Sequence, residues 1–275
     1  MTDPGEWRSS IRDLSAPWAE LETDKVVLTL PSEMIRHLDF PDKLMDHWDK
    51  VLDACADLAG IPRDRPRHER ILADVQPSAG WMHSGYPIVS NMRASAPMGS
   101  YEEMVSQGNW GFYHELGHNH QQKEWTFEGT VEVTCNLFVL YAFDTIHRGN
   151  AQHRFSDMTK LYEQARAHIA SGAPYETWKS KPFLALTMYE QMKREFGWEP
   201  FKTIFADYRK MPQNQKPKTD QARRDEWLVR FSREVGRNLG PFFEVWGVPT
   251  SEAARNSISQ LPVWMPESLS QKVNR

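Results

Sequence analysis

Five consecutive residues, His114-Glu115-Leu116-Gly117-His118, restrict the fold more than any other part of the sequence. Histidines four positions apart come within reach of one ion on a helix, where they stand one turn apart on one face, whereas on a strand they lie about 13 Å apart. Two imidazoles so placed can bind one zinc ion, and a zinc that does chemistry takes three protein ligands and keeps a fourth position open. In this pattern the intervening glutamate does not ligate. Glu115 sits beside the metal, takes a proton from a water whose pKa the metal lowers, and passes it to the leaving group. The pentad therefore demands a helix, predicted over 111 to 122, and a third ligand from elsewhere.

The continuation that would supply a third histidine is excluded. It needs Gly three residues and His six residues after the second histidine, where this chain has Gln121 and Glu124. His120 is a poor ligand because, two residues past His118, it points about 200° away around a helix. Three acidic side chains follow: Glu124, Glu128 and Glu132. Glu124 is too near for the chain to turn back on the metal. A helix starting near Gly129 puts Glu132 one turn in, with Asn136 four residues later on the same face to orient a ligating imidazole. Geometry favours Glu132 over Glu128 and leaves both in play.

Elsewhere the pattern is mixed. Residues 1 to 20 are polar and irregular, so the fold proper is expected to start near Leu21. Lys25 to Leu30 is a β-branched run closed by Pro31, after which Ser32 is placed to cap a short helix through Leu38. Apolar residues at spacings of three and four predict a helix from Pro41 to Leu58, stopped by Gly60. Ile71–Val75 and Ile88–Val89 read as strands flanking the aromatic loop Gly80–Pro87. Beyond Asn109 the spacing predicts helices at 111–122, 128–147, 155–171, 182–196, 199–209, 221–238 and 251–259. The expected architecture is α+β: an α/β lobe at about 16–110, a mostly helical lobe at 111–265, and chemistry in the cleft where they meet.

Charge and hydropathy remove other classes. The 33 Lys and Arg against 37 Asp and Glu give a net charge of −4, and the basic residues are scattered, so nucleic acid is not an expected partner. The longest apolar stretch, Leu137–Phe143, is far below the roughly 20 residues of a membrane-spanning helix. The N-terminus shows no secretory signal, which fits an intracellular chain or a fragment of a longer one. Cys55 and Cys135 fall in apolar helical patterns and read as buried free thiols.

The run Asn109-Trp110-Gly111-Phe112-Tyr113-His114-Glu115-Leu116-Gly117-His118-Asn119-His120-Gln121, then Trp125, then Glu132-Val133-Thr134-Cys135-Asn136-Leu137, resembles the enhancin-like peptidase family M-sixty, a group of gluzincins. Ala16–Leu21, Gly80–Pro87, Phe196–Glu199 and Pro241–Phe243 with Trp246-Gly247 are similar to stretches of the same domain, so the likeness covers about 16–265. The resemblance implies a single gluzincin-like catalytic domain at 16–275 behind an irregular tail at 1–15. It further implies His114, His118 and Glu132 as ligands of one Zn2+ per chain, Glu115 as general base, and Glu132 rather than Glu128 as the third ligand. The implied reaction is endoproteolysis of glycosylated, mucin-like O-glycosylated proteins, which favours an extracellular or cell-surface setting. No carbohydrate-binding module is expected within these 275 residues. A similar domain closes channel-associated factors of the TCAF type, where the zinc motif is degraded, and that likeness implies the alternative of a non-catalytic glycopeptide- or partner-binding module. This sequence keeps both histidines and both glutamates.

Trp81, His83 and Tyr86 are the expected substrate contacts, in a loop leading to an edge strand with aromatic faces suited to a sugar ring. Packing of Trp81 and Tyr86 at the lobe interface is the competing reading. Tyr86, His83, His168 and Tyr189 can each be written as the oxyanion donor, and the role stays unassigned. Trp110, Phe112 and Trp125 are expected to buttress the zinc helix. The Lys216–Asp220 run with Arg223 and Arg224 reads as a solvated loop and helix start. A small-substrate aminopeptidase is disfavoured because Asn91-Met92-Arg93 is not similar to a G-x-M-E-N segment.

Overall fold

The computed structural model describes residues 2–78, 80–148, 153 and 155–270. The end of the expected catalytic domain, 271–275, lies outside them. The chain is α+β, as the sequence implies, with a single five-stranded sheet and many helices among the described residues.

The strands are β1 (Trp18–Glu22), β2 (Val26–Pro31), β3 (Glu69–Asp74), β4 (Met82–His83) and β5 (Ile88–Asn91), arranged in the order β1-β2-β3-β5-β4. The helices of the first half are α1 (Pro4–Ser9), α2 (Pro41–Ala59), α3 (Tyr101–Ser106), α4 (Trp110–His120) and α5 (Val131–Ala142), the last continued by a π-turn over Phe143–His147. Those of the second half are α6 (Met158–Ala170), α7 (Tyr175–Ser180), α8 (Pro182–Phe196), α9 (Glu199–Lys210), α10 (Asp220–Val235), α11 (Gly240–Val245), α12 (Glu252–Asn256) and α13 (Glu267–Ser270).

Two compact units divide these elements: Met1–Asp57, Ile61–His120 and Phe138–His153 form one, and Leu58–Gly60, Gln121–Leu137 and Arg154–Arg275 the other. In the first, β2 runs parallel to β3 and β3 parallel to β5, while β1 and β4 close the two edges antiparallel. A parallel pair needs a long crossover, and α2 provides the one from β2 to β3. Val26, Val27, Leu28 and Leu30 of β2 are all buried, which is why the strand reads as a continuous apolar run rather than an alternation. Leu44, Trp48, Val51 and Leu52 of α2 are fully buried, each stabilising the unit by about 1.5–3 kcal/mol. The Trp48 indole N–H donates to the Met98 carbonyl at 3.2 Å, and its ring meets Phe112 of α4 edge-on at 5.6 Å.

In the second unit, an aromatic core joins helices to the segment before α5. Trp125 stacks on Phe205 of α9 at 4.3 Å, and Trp227 and Phe231 of α10 surround Phe201. Arg224 is buried, donating to Pro249 O and Tyr175 Oη and pairing with Asp220, while Lys216 pairs with buried Glu124 at 3.5 Å. The reading of this run as solvated is thus corrected at Arg224, which is buried, and at Lys216, which pairs with a buried carboxylate, while Lys218 and Thr219 are exposed. Its helix start holds, with the Thr219 hydroxyl accepting the Ala222 N–H.

The N-terminus also differs from the expected irregular tail. The Asp3 side chain caps α1 by accepting the Glu6 N–H, and Trp7, only 6% exposed, donates its indole N–H to Leu38 O at 2.6 Å. The fold begins before Leu21, since β1 opens at Trp18. Ser32 starts only a 3-10 turn, Ser32–Met34, and makes no capping bond, because the chain leaves β2 through Pro31 and Ser32 itself is buried. The predicted helix at 221–238 stops at Val235, where Gly236 takes a left-handed φ of 62° and closes the helix end. Helix 251–259 is shorter, ending at Asn256, and α3, α7, α11 and α13 were not visible in the periodicity.

Candidate metal centre

The Asn109 side chain opens α4 by accepting the Phe112 N–H at 3.1 Å. Phe112, Tyr113, Leu116 and Gly117 are buried, which leaves His114 and His118 half-exposed. Their Nε2 atoms lie 3.0 Å apart, with the rings nearly perpendicular at 88°. Zinc–nitrogen bonds of about 2.0–2.1 Å in a tetrahedron set two such nitrogens about 3.3 Å apart, so the pair already stands near the spacing of a shared ion. Glu115 is 8% exposed.

Tyr113 anchors the helix from behind. Its hydroxyl lies 3.0 Å from His47 Nε2 on α2 and 3.0 Å from His147 Nε2 on the π-turn. Burial, then the neighbouring His147, lowers the His47 pKa from 6.5 to about 4. Burial lowers that of His147 as well and pushes the Tyr113 phenol up. At the C-terminal end, His120 Nδ1 hydrogen-bonds the Leu116 carbonyl at 2.6 Å, its Nε2 lies 3.0 Å from Arg65 Nη2, and its ring packs by Phe138. It is turned away from the His114 and His118 pair.

On α5, Glu132 sits in the first turn and is exposed, where the helix dipole favours a carboxylate. Cys135 and Asn136 are buried one turn on, and the Asn136 amide donates to the Glu132 carbonyl at 2.7 Å. Thr134 fixes the preceding loop, donating to Gln121 Oε1 at 2.6 Å. Glu128 lies before the helix, its backbone N–H donating to Asp220 Oδ1.

Among the described residues, His114, His118, Glu132 and Cys135 form a group whose donor atoms, one from each, all lie within 4.8 Å of one another. Glu124, Glu128 and His120 are not in it. Two imidazoles, a carboxylate and a thiol are a donor set that suits zinc. Cys135 went unnoticed as a donor in the sequence because it lies in an apolar run. Its place three residues after Glu132, on one helix face, was the available signal.

Of the expected substrate contacts, Trp81 is 62% and Tyr86 48% exposed, and Arg67 stacks on the Tyr86 ring at 3.6 Å. His83 lies on β4, the outermost strand, with Nδ1 3.0 Å from Ser84 O. His168 is mostly buried against Trp246 and Tyr189 is buried against Trp227, and neither belongs to the group of His114, His118 and Glu132. Phe112 and Trp125 are core residues, and Trp110 packs on Phe143.

The model of the family described as Peptidase M60, enhancin and enhancin-like, matches residues 1–247. A TRPM8 channel-associated factor homolog of Xenopus laevis is 42% identical over 262 residues, 94% of this chain and 28% of that protein. The chain thus spans less than a third of the curated relative it matches. The crystal structure of a functionally unknown conserved protein from Bacillus anthracis str. Ames superposes with a TM-score of 0.83 at 23% identity, covering 97% of this chain and 57% of that one. The structure of IMPa from Pseudomonas aeruginosa in complex with an O-glycopeptide gives 0.67 at 16% identity, covering 95% and 37%. These two likenesses are of fold.

Proposed function

We propose, for a chain that belongs to the Peptidase M60, enhancin and enhancin-like family, that it is a zinc endopeptidase cutting O-glycosylated, mucin-like proteins at or outside the cell surface. The observation that carries this is the donor group of His114, His118 and Glu132 with Glu115 beside it. His114, His118 and Glu132 would hold one zinc ion, which when bound supplies Lewis acidity toward a peptide carbonyl and acidifies water. Glu115, largely buried and next to His114, takes the proton of the attacking water and returns it to the departing amine. Asn136 supports the first turn of α5 through the Glu132 carbonyl. Trp81 and Tyr86 offer exposed rings to a sugar, and His83 a place on the outermost strand along which an extended peptide can add. The O-glycopeptide bound by IMPa supports this substrate class.

The relative named as a channel-associated factor favours one second reading, a module that grips a glycopeptide or protein partner without cutting it. The zinc-loaded chain and its Glu115→Gln variant, incubated with an O-glycosylated mucin peptide and the same peptide stripped of glycan, separate the two by mass spectrometry. Cleavage of the glycosylated peptide by the wild type alone establishes the peptidase. Binding without cleavage establishes the module, and a chain that takes up no zinc refutes the metallopeptidase reading.

A further inference from the structure

Asn119 follows His118 on α4, and its side chain is engaged with the loop that follows β4. Its Oδ1 accepts the Gly85 N–H at 2.9 Å, its Nδ2 donates to the Gly85 carbonyl at 3.0 Å, and the same nitrogen reaches Glu69 Oε2 at 3.2 Å. Holding both the N–H and the C=O of one residue is what a neighbouring strand does in a sheet. Here a single carboxamide does it, because only a carboxamide donates and accepts at once in that fork. Gly85 has a φ of 124°, a conformation other residues rarely adopt.

The other end of α4 carries a second attachment. A Cβ added to Gly111 would come within 3.0 Å of Met82 Sδ, so the missing side chain lets β4 lie directly on the first turn of the helix. Eight residues of helix, from 111 to 119, rise about 12 Å. The three-residue step from 82 to 85 can reach at most about 10 Å. Met82 thus meets the first turn of α4 and Gly85 its last, so the segment between them bridges the turns that bear His114 and His118.

We propose that Asn119 is a positioning residue that fixes the outermost strand, with Trp81 before it and Tyr86 after it, at a set distance from the metal-binding turn. A peptide added along β4 then arrives in register with Glu115 and the two histidines. This rests on the peptidase reading and deepens it, by naming what aligns substrate with the centre. Asn119→Ala removes the clamp, Asn119→Asp keeps the acceptor but loses the donor beside Glu69, and Asn119→Gln retains both functions on a longer arm.

The test uses the full chain, as wild type and these three variants. Hydrogen exchange is followed over 80–87 and 111–118, zinc affinity by chelator competition, and kinetics on an O-glycosylated peptide. For Asn119→Ala exchange at 80–87 should quicken about tenfold or more, and for Asn119→Asp by less because the acceptor for the Gly85 N–H is kept, with 111–118 and zinc affinity unchanged in both, as expected where the bonds lost belong to one loop. KM should rise about tenfold with kcat within about twofold, and Asn119→Gln should recover part of the loss. Unchanged exchange at 80–87, a matching rise at 111–118 with loss of zinc, or a fall in kcat at constant KM would each overturn the proposal. If the wild type binds zinc and cleaves nothing, the peptidase reading fails separately, and the proposal is then judged by glycopeptide affinity in the Glu115→Gln background. There, a tenfold weakening on adding Asn119→Ala supports it, and equal binding or none overturns it.

Discussion

The buried chain His47, Tyr113 and His147 makes stability depend on pH in a way that can be worked out. A phenol hydroxyl donates one proton and otherwise accepts, so it suits two neutral imidazoles that take complementary roles. Protonating His47 puts a cation in a buried site facing His147, with Lys50 adding to the repulsion, and its pKa falls from 6.5 to about 4. A histidine with a depressed folded pKa costs nothing well above 6.5, where both states are neutral. As pH falls below 6.5 the unfolded chain takes the proton first, so stability is lost from there down to about 4. The full difference is about 3 kcal/mol, of which about 0.2 is lost by pH 7 and about 2 by pH 5. His47→Gln keeps a polar side chain and removes the titration. Urea unfolding of the metal-free chain, followed by tryptophan fluorescence at pH 7 and pH 5, should show the wild type losing about 2 kcal/mol more than the variant across that interval. Parallel losses in the two proteins would refute the argument, because the buried imidazole would then be taking its proton as easily folded as unfolded.

Other outcomes follow from single side chains. Glu132→Gln should weaken zinc binding by tenfold or more in a chelator titration while circular dichroism stays unchanged, since the exposed carboxylate belongs to the proposed ligand set and not to the core. Trp48→Ala should cost about 3–5 kcal/mol in urea unfolding, because a fully buried indole and its bond to Met98 O are lost. Cys55, buried and with its thiol pushed up to about 12, should resist iodoacetamide in the native chain at pH 8 and react only on unfolding, as read by mass spectrometry of its peptide.

How much could be read beforehand varies with the physical signal. The helix at 182–196 was predicted to the residue, and those at 41–59 and 199–210 to within one, because apolar residues at three- and four-residue spacing leave little choice. The strands β2, β3 and β5 were visible as β-branched runs. Trp18–Glu22 was not, since an edge strand with only Leu21 buried shows almost no alternation of burial to detect. α1 was missed for a related reason: six polar-looking residues hold one buried contact, Trp7 to Leu38, that is distant in sequence. At the centre, the face shared by His114 and His118 follows from helical period alone. The nearness of the Cys135 thiol to the group was signalled only by its place three residues after Glu132, in an apolar run, and nothing in the period shows the carboxamide of Asn119, whose partner Gly85 lies 34 residues upstream.

The Arg65 guanidinium, mostly hidden from solvent, donates to the Leu52 carbonyl, reaches His120 at the C-terminal end of α4 and pairs with Glu69. A cation there meets the negative end of the helix dipole and holds the last turn to β3. The pentad is consequently not a portable cassette. A designer who lifted those five residues onto a foreign helix would transfer the imidazoles and leave behind Asn109 and Arg65, which hold the two ends of the helix, and Asn119, which ties it to the loop at Gly85.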